Sequence, residues 1–183
     1  YSGLFFGRGL SAGDMNGDGA DELLAGATSF SPGGLSYPGA AFLYSEWDDH
    51  LHACDESRLN PPSDTLGYSR RSTSFGYSAS LEGDSNGDGY QDAVIGCPGC
   101  AVPECPECGA VVSWLGGVSP SFGPDEALVL GPTSDGYPGL DNGIGLRMAT
   151  ADLDADGFDD LVLGAGYGPV VYYGSPTGLD AST

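Results

Sequence analysis

Three acidic segments recur in register along the chain, and they constrain it more than any other feature. They read Asp14-x-Asn16-x-Asp18-Gly19-x-x-Glu22, Asp84-x-Asn86-x-Asp88-Gly89-x-x-Asp92 and Asp152-x-Asp154-x-Asp156-Gly157-x-x-Asp160. Each sits within a longer repeat. The repeats start at Phe6, Phe75 and Ile144, 69 residues apart both times. After each acidic segment comes an apolar stretch, then a Gly-led run: "GAAFLY" from Gly39, "GAVVSWLG" from Gly109 and "GPVVYYG" from Gly168. These runs are short, rich in β-branched and aromatic residues, and bounded by Gly and Pro, so they read as strands. One unit is expected to hold a strand around residues 8–13, an acidic turn, a strand at 22–27, a loop and a strand at 40–44. A further strand is expected at 126–131, with a less clear counterpart near "HLHACDESRL". One small sheet cannot bury both faces alone, so a fixed period of such sheets means a propeller or a solenoid.

The spacing inside the acidic segments fits calcium. Oxygen side chains recur at positions 1, 3, 5 and 9, and Gly at position 6 permits the sharp turn. Calcium takes six to eight oxygens, and position 7 can lend its backbone carbonyl. The candidate ligands are therefore Asp14, Asn16, Asp18, Ala20 and Glu22; Asp84, Asn86, Asp88, Tyr90 and Asp92; and Asp152, Asp154, Asp156, Phe158 and Asp160. An EF-hand needs a bidentate Glu at position 12 between helices. Position 12 is Ala25, Ile95 and Leu163, each in an apolar strand. Metal-free Asp/Asn/Gly turns would explain one such loop but not three in register. Magnesium prefers fewer protein ligands and retained water.

Charge points the same way. The net charge is -21, from five Lys plus Arg against 26 Asp plus Glu. Twelve of those 26 acids lie in the three loops. Five scattered bases form no cationic patch, which disfavours nucleic acid and anionic membranes. No apolar run is long enough to span a bilayer as a helix. The chain starts at Tyr1, as a processed or partial chain would.

The units resemble FG-GAP repeats, the blades of integrin α-chain propellers and of many bacterial secreted proteins. The likeness rests on Phe6-Gly7 with Gly26-Ala27-Thr28, on Phe75-Gly76 with Gly96-Cys97-Pro98, and on the divergent Ile144-Gly145 with Gly164-Ala165-Gly166. The resemblance implies an all-β array of antiparallel β-sheet blades, with units at 6–74, 75–143 and a truncated 144–183. Three blades are too few to close a ring, since propellers have roughly 4–8. The chain is thus expected either to be part of a longer array or to pack against copies of itself, even as a polymer. The resemblance also implies a bacterial-type secreted or cell-surface protein with calcium at three sites. Its work would be structural or adhesive, with extracellular protein or glycan as further partners.

Four cysteines fill one loop of the second unit, Cys97, Cys100, Cys105 and Cys108. Two readings stand. The symmetric spacing suits nested disulfides, Cys97–Cys108 and Cys100–Cys105, in an oxidising compartment. The repeated C-P-x-C instead resembles paired zinc knuckles, with four thiolates around a tetrahedral Zn²⁺. Cys54 is left over, and His50, His52 and Cys54 alternate as strand neighbours on one face would.

An enzyme is not expected. There is no G-x-S-x-G, no H-E-x-x-H and no nucleophile–base pairing, and carboxylates that hold calcium are not free to carry protons. The alternative is a carbohydrate-binding or non-catalytic part of a secreted polysaccharide-active enzyme, with Trp47, Trp114, Tyr172 and Tyr173 as stacking candidates.

Overall fold

A computed structural model describes residues 5–31, 39–47, 53–60, 62, 67–68, 74–103, 108–123, 126–131, 143–166 and 168–180. Thirteen strands and no helix of α type occur among them. The first sheet is a four-stranded meander of β1 (Phe6–Gly13), β2 (Glu22–Ala27), β3 (Ala40–Trp47) and β4 (Ala53–Leu59). A two-stranded piece follows, β5 (Gly67–Tyr68) against β8 (Cys100–Ala101). The second sheet orders β6 (Ala79–Gly83), β7 (Asp92–Cys97), β9 (Ala110–Trp114) and β10 (Leu128–Leu130) as neighbours. The third holds β11 (Met148–Ala151), β12 (Asp160–Ala165) and β13 (Gly168–Tyr172). All strand pairs are antiparallel, and the sheets do not close into a ring. The outer strand of the first sheet lies where "HLHACDESRL" left it least clear.

Two apolar layers hold the three sheets face to face. The first gathers Met15, Leu24 and Leu43 of the first sheet with Phe75, Ile95 and Trp114. The second gathers Val94 and Leu130 with Ile144, Leu161, Leu163 and Tyr172. Every residue of β7 is buried, because the middle sheet is covered on both faces. That burial explains its unbroken apolar run, where β1 alternates between exposed and buried positions. Each large side chain so buried contributes about 1.5–3 kcal/mol. Phe75 and Trp114 meet edge to face with centroids 6.4 Å apart. The Trp114 indole N–H donates to the Gly123 carbonyl at 3.1 Å. The Tyr172 hydroxyl donates to the Gly131 carbonyl at 2.6 Å. Trp114 and Tyr172 are thus core residues with no face left for a sugar, whereas Tyr173 is exposed.

The seams between sheets are made of backbone. Parallel bridges join Gly39 to Phe75 and Gly109 to Ile144. A Cβ added to Gly26 would lie 1.8 Å from the Gly76 carbonyl oxygen. One added to Gly96 would lie 2.2 Å from that of Gly145. The glycine near the end of one unit's second strand therefore touches the glycine that opens the next unit. Gly26→Ala is expected to force the seam apart and to lower stability by at least about 1–3 kcal/mol. Urea unfolding curves for the two proteins check this, and an unchanged midpoint would contradict the seam.

Candidate functional site

Each acidic loop connects the first two strands of its sheet. Its first carboxylate gathers the loop's own N–H groups. In the first loop Asp14 accepts from Gly17 N at 2.7 Å, Asp18 N at 3.2 Å and Gly19 N at 2.9 Å. Asp84 accepts from Asp88 N at 3.1 Å and Gly89 N at 2.8 Å. Asp152 accepts from Asp156 N at 3.2 Å and Gly157 N at 3.1 Å. Position 3 accepts from the N–H of position 5 in all three loops. Position 5 accepts from the N–H of position 7, that of Ala20, Tyr90 or Phe158. These bonds to charged acceptors fold the loop so that positions 1, 3 and 5 converge.

The third loop brings three carboxylates together. One oxygen each from Asp152, Asp154 and Asp156 lies within 4.8 Å of the others, and all three residues are exposed. In the first two loops position 3 is an amide, and its N–H₂ relieves the crowding. Asn16 Nδ2 donates to Asp18 and to Glu22, both at 3.0 Å, and Asn86 Nδ2 donates to Asp88 at 2.8 Å. The third loop has no such donor, so its carboxylates face one another directly.

Position 9 plays a second part that spacing alone does not reveal. Glu22, Asp92 and Asp160 are buried. Each accepts the N–H of position 2, from Met15 at 2.9 Å, Ser85 at 2.9 Å or Leu153 at 3.0 Å. Asp92 also takes the Ser85 hydroxyl, and its other oxygen takes Gly116 N at 2.9 Å. Asp160 takes Gly174 N at 2.9 Å. In the second and third loops the position 9 carboxylate thus ties the loop to the end of the third strand, whereas Glu22 takes the Asn16 amide of its own loop. Burial pushes the Glu22 carboxyl above its ordinary range; the Met15 N–H opposes this, and Asp18 and Asp14 add to it. Burial also raises Asp92, against the pull of its Ser85 and Gly116 donors and with the Asp84 charge adding to it. A divalent ion beside these groups would favour their charged forms.

The donor set fits a hard cation. It consists of carboxylate and amide oxygens, the ligand type of calcium, brought together against their own repulsion. Carboxylate oxygens carry a second lone pair, so a hydrogen bond from the loop leaves room for an ion.

The cysteine loop departs from the nested pairing. Cys97 is bonded to Cys100, with Cα atoms 5.3 Å apart across the Pro98-Gly99 turn. That separation lies inside the ordinary disulfide range, and the turn brings the two thiols together before the chain reaches Cys108. Cys108 is disulfide-bonded as well, and Cys105 lies outside the described residues. The four thiolates that zinc needs are therefore not free. His50 and His52 also lie outside the described residues; Cys54 belongs to β4, with its side chain outside them.

The fold and loops define a class, an array of antiparallel blades with one oxygen-lined turn apiece. The FG-GAP repeat family model matches residues 6–44 and 145–179. The chain is 31% identical over 172 residues to integrin alpha-4 of Xenopus laevis, covering 89% of this chain and 14% of the relative. Mouse integrin alpha-IIb is 31% identical, with 88% and 15% covered, and Xenopus laevis integrin alpha-5 is 30% identical, with 94% and 16% covered. The chain belongs to the FG-GAP repeat family. It spans about a seventh of the length of these relatives. They are animal proteins, and the bacterial-type expectation draws no support from them.

Asp92→Ala is expected to leave the Ser85 and Gly116 N–H groups without acceptors, at about 1–3 kcal/mol for each group left buried. Denaturant unfolding in excess chelator measures this without any ion. A loss below about 0.5 kcal/mol would show that position 9 does not anchor the loop.

Proposed function

We propose that this chain is a calcium-stabilised, non-catalytic blade array of an extracellular adhesion-type protein. In this reading it works by presenting a rigid surface and by packing against further blades or subunits. One observation carries it: three loops share one oxygen pattern in a chain of net charge -21, and the third gathers three carboxylates within 4.8 Å of one another. An ion at each loop would offset that repulsion. Asp14, Asn16, Asp18, the Ala20 carbonyl and Glu22 would hold the first ion. Asp84, Asn86, Asp88, the Tyr90 carbonyl and Asp92 would hold the second. Asp152, Asp154, Asp156, the Phe158 carbonyl and Asp160 would hold the third. The third loop has four carboxylates against three in each of the others, so it would bind most tightly. The likeness to integrin α chains supports an extracellular, adhesive setting, and a disulfide suits an oxidising compartment.

Calcium binding only to the folded state stabilises by about 2.7 kcal/mol per site at a hundredfold excess over Kd. Calcium is therefore expected to raise the Tm by several degrees, and isothermal titration to count three sites. Asp152→Asn with Asp156→Asn should remove the tightest of them. An unchanged Tm with and without chelator would end the calcium reading.

A further inference from the structure

The three position 9 carboxylates lie on one continuous run of hydrogen bonds. Asp160 accepts the Gly174 N–H at 2.9 Å. The next residue, Ser175, donates its N–H to the Ser85 carbonyl at 3.0 Å. Ser85 donates its own N–H to Asp92 at 2.9 Å, and its hydroxyl to the same oxygen. The other Asp92 oxygen accepts Gly116 N at 2.9 Å, and Gly117 N donates to the Met15 carbonyl at 2.9 Å. Met15 N donates to Glu22 at 2.9 Å. The run passes from the third loop to the second and on to the first, through position 2 each time. Met15, Glu22, Ser85, Asp92 and Asp160 are all buried, so water does not stand in for these bonds.

A second link runs beside the first. Position 8 stands between two candidate ligands, the position 7 carbonyl and the position 9 carboxylate. In the third loop it is Asp159, whose N–H donates to the Asp84 carbonyl at 3.0 Å and whose Oδ2 accepts the Asp84 N–H at 3.0 Å. Both main-chain groups of Asp84 are thus held by the next loop, and Asp84 is the position 1 candidate ligand of the second. Gln91 N likewise donates to the Asp14 carbonyl at 3.2 Å. The position 7 rings press on the preceding loop as well. A Cβ on Gly17 would come within 2.5 Å of the Tyr90 ring, and one on Gly87 within 2.9 Å of the Phe158 ring.

We infer that the three loops take up calcium as a coupled set, with Asp159 as the residue that positions Asp84 for the second ion. This rests on the calcium reading and names the regulation of its sites. Phe158 and Asp160 flank Asp159, so fixing those two ligands also fixes Asp159, and with it Asp84. The run from Asp160 through Gly174 and Ser175 does the same for Ser85, and hence for Asp92. A second loop ordered in this way loses less freedom when its own ion arrives, so its affinity rises. The coupling is reciprocal. The middle loop is bonded on both sides and responds most.

NMR titration in chelator-buffered calcium tests this loop by loop. The position 6 amides of Gly19, Gly89 and Gly157 each donate to the position 1 carboxylate of their own loop, so each reports one site. Asp152→Asn with Asp156→Asn should empty the third loop and raise the calcium midpoint at Gly89 at least about fivefold. The comparison is neutral in charge: four carboxylates with a divalent ion become two without one. Asp159→Ala should hold the second ion at least about threefold more weakly than Asp159→Asn, which loses the same charge but keeps an acceptor oxygen. That gap should narrow once the third loop is emptied. A Gly89 midpoint unmoved by emptying the third loop overturns the inference and leaves the calcium reading standing. An Ala-to-Asn gap of the same size in both backgrounds makes Asp159 merely structural and overturns its part. Three glycine amides that ignore calcium remove the calcium reading and the coupling together.

Discussion

The structure depends on how closely two backbones approach at each seam. Gly26 against Gly76, and Gly96 against Gly145, leave no space for a side chain between them. Apolar layers drive the sheets together, but apolar contact is non-directional and would tolerate many angles. The backbone contact selects one. Bonds from each acidic loop to the next fix the same geometry at the other end of the seam. Sheet stacking is thus specified at two points by main-chain groups, with oil-like packing between them.

The acidic loops belong to this frame as much as to any ion. Their outer carboxylate and amide groups at positions 1, 3 and 5 are exposed or half-buried and turn toward one another. Their inner carboxylate is buried and holds the start of the loop, and in the second and third sheets it ties that start to the end of the third strand. A buried carboxylate without such donors would be costly. Here the donors are backbone N–H groups that themselves lack strand partners, so two deficits cancel.

Much of this was legible in the sequence. The strands of the first sheet, the turns between them and the all-β array followed from apolar periodicity and a constant spacing. Converging oxygens at positions 1, 3 and 5 followed from alternation in a tight loop. Three things did not. The Cys97–Cys100 pairing depends on a two-residue turn that symmetric spacing does not encode. The anchoring role of Asp92 and Asp160 depends on Gly116 and Gly174, which are near in space and distant along the chain. The contact of Tyr90 with Gly17 spans two units, and a motif read one unit at a time cannot contain it. Comparing positions 4 and 7 between successive units was the available signal.

The connection between the second and third strands joins the strand ends opposite the acidic loops and, in the first two sheets, meets the seam at its final glycine, Gly39 or Gly109. In the second sheet it carries the cysteine cluster, from Pro98 to Gly109; in the third it is Gly166 and Tyr167. The strands on either side still pair in plain register, Cys97 with Ala110 and Ala165 with Gly168. Length and chemistry can change there without altering the stacking angle. Such a chain can carry unrelated decorations on a constant chassis, each stiffened locally, as the Cys97–Cys100 link stiffens this one.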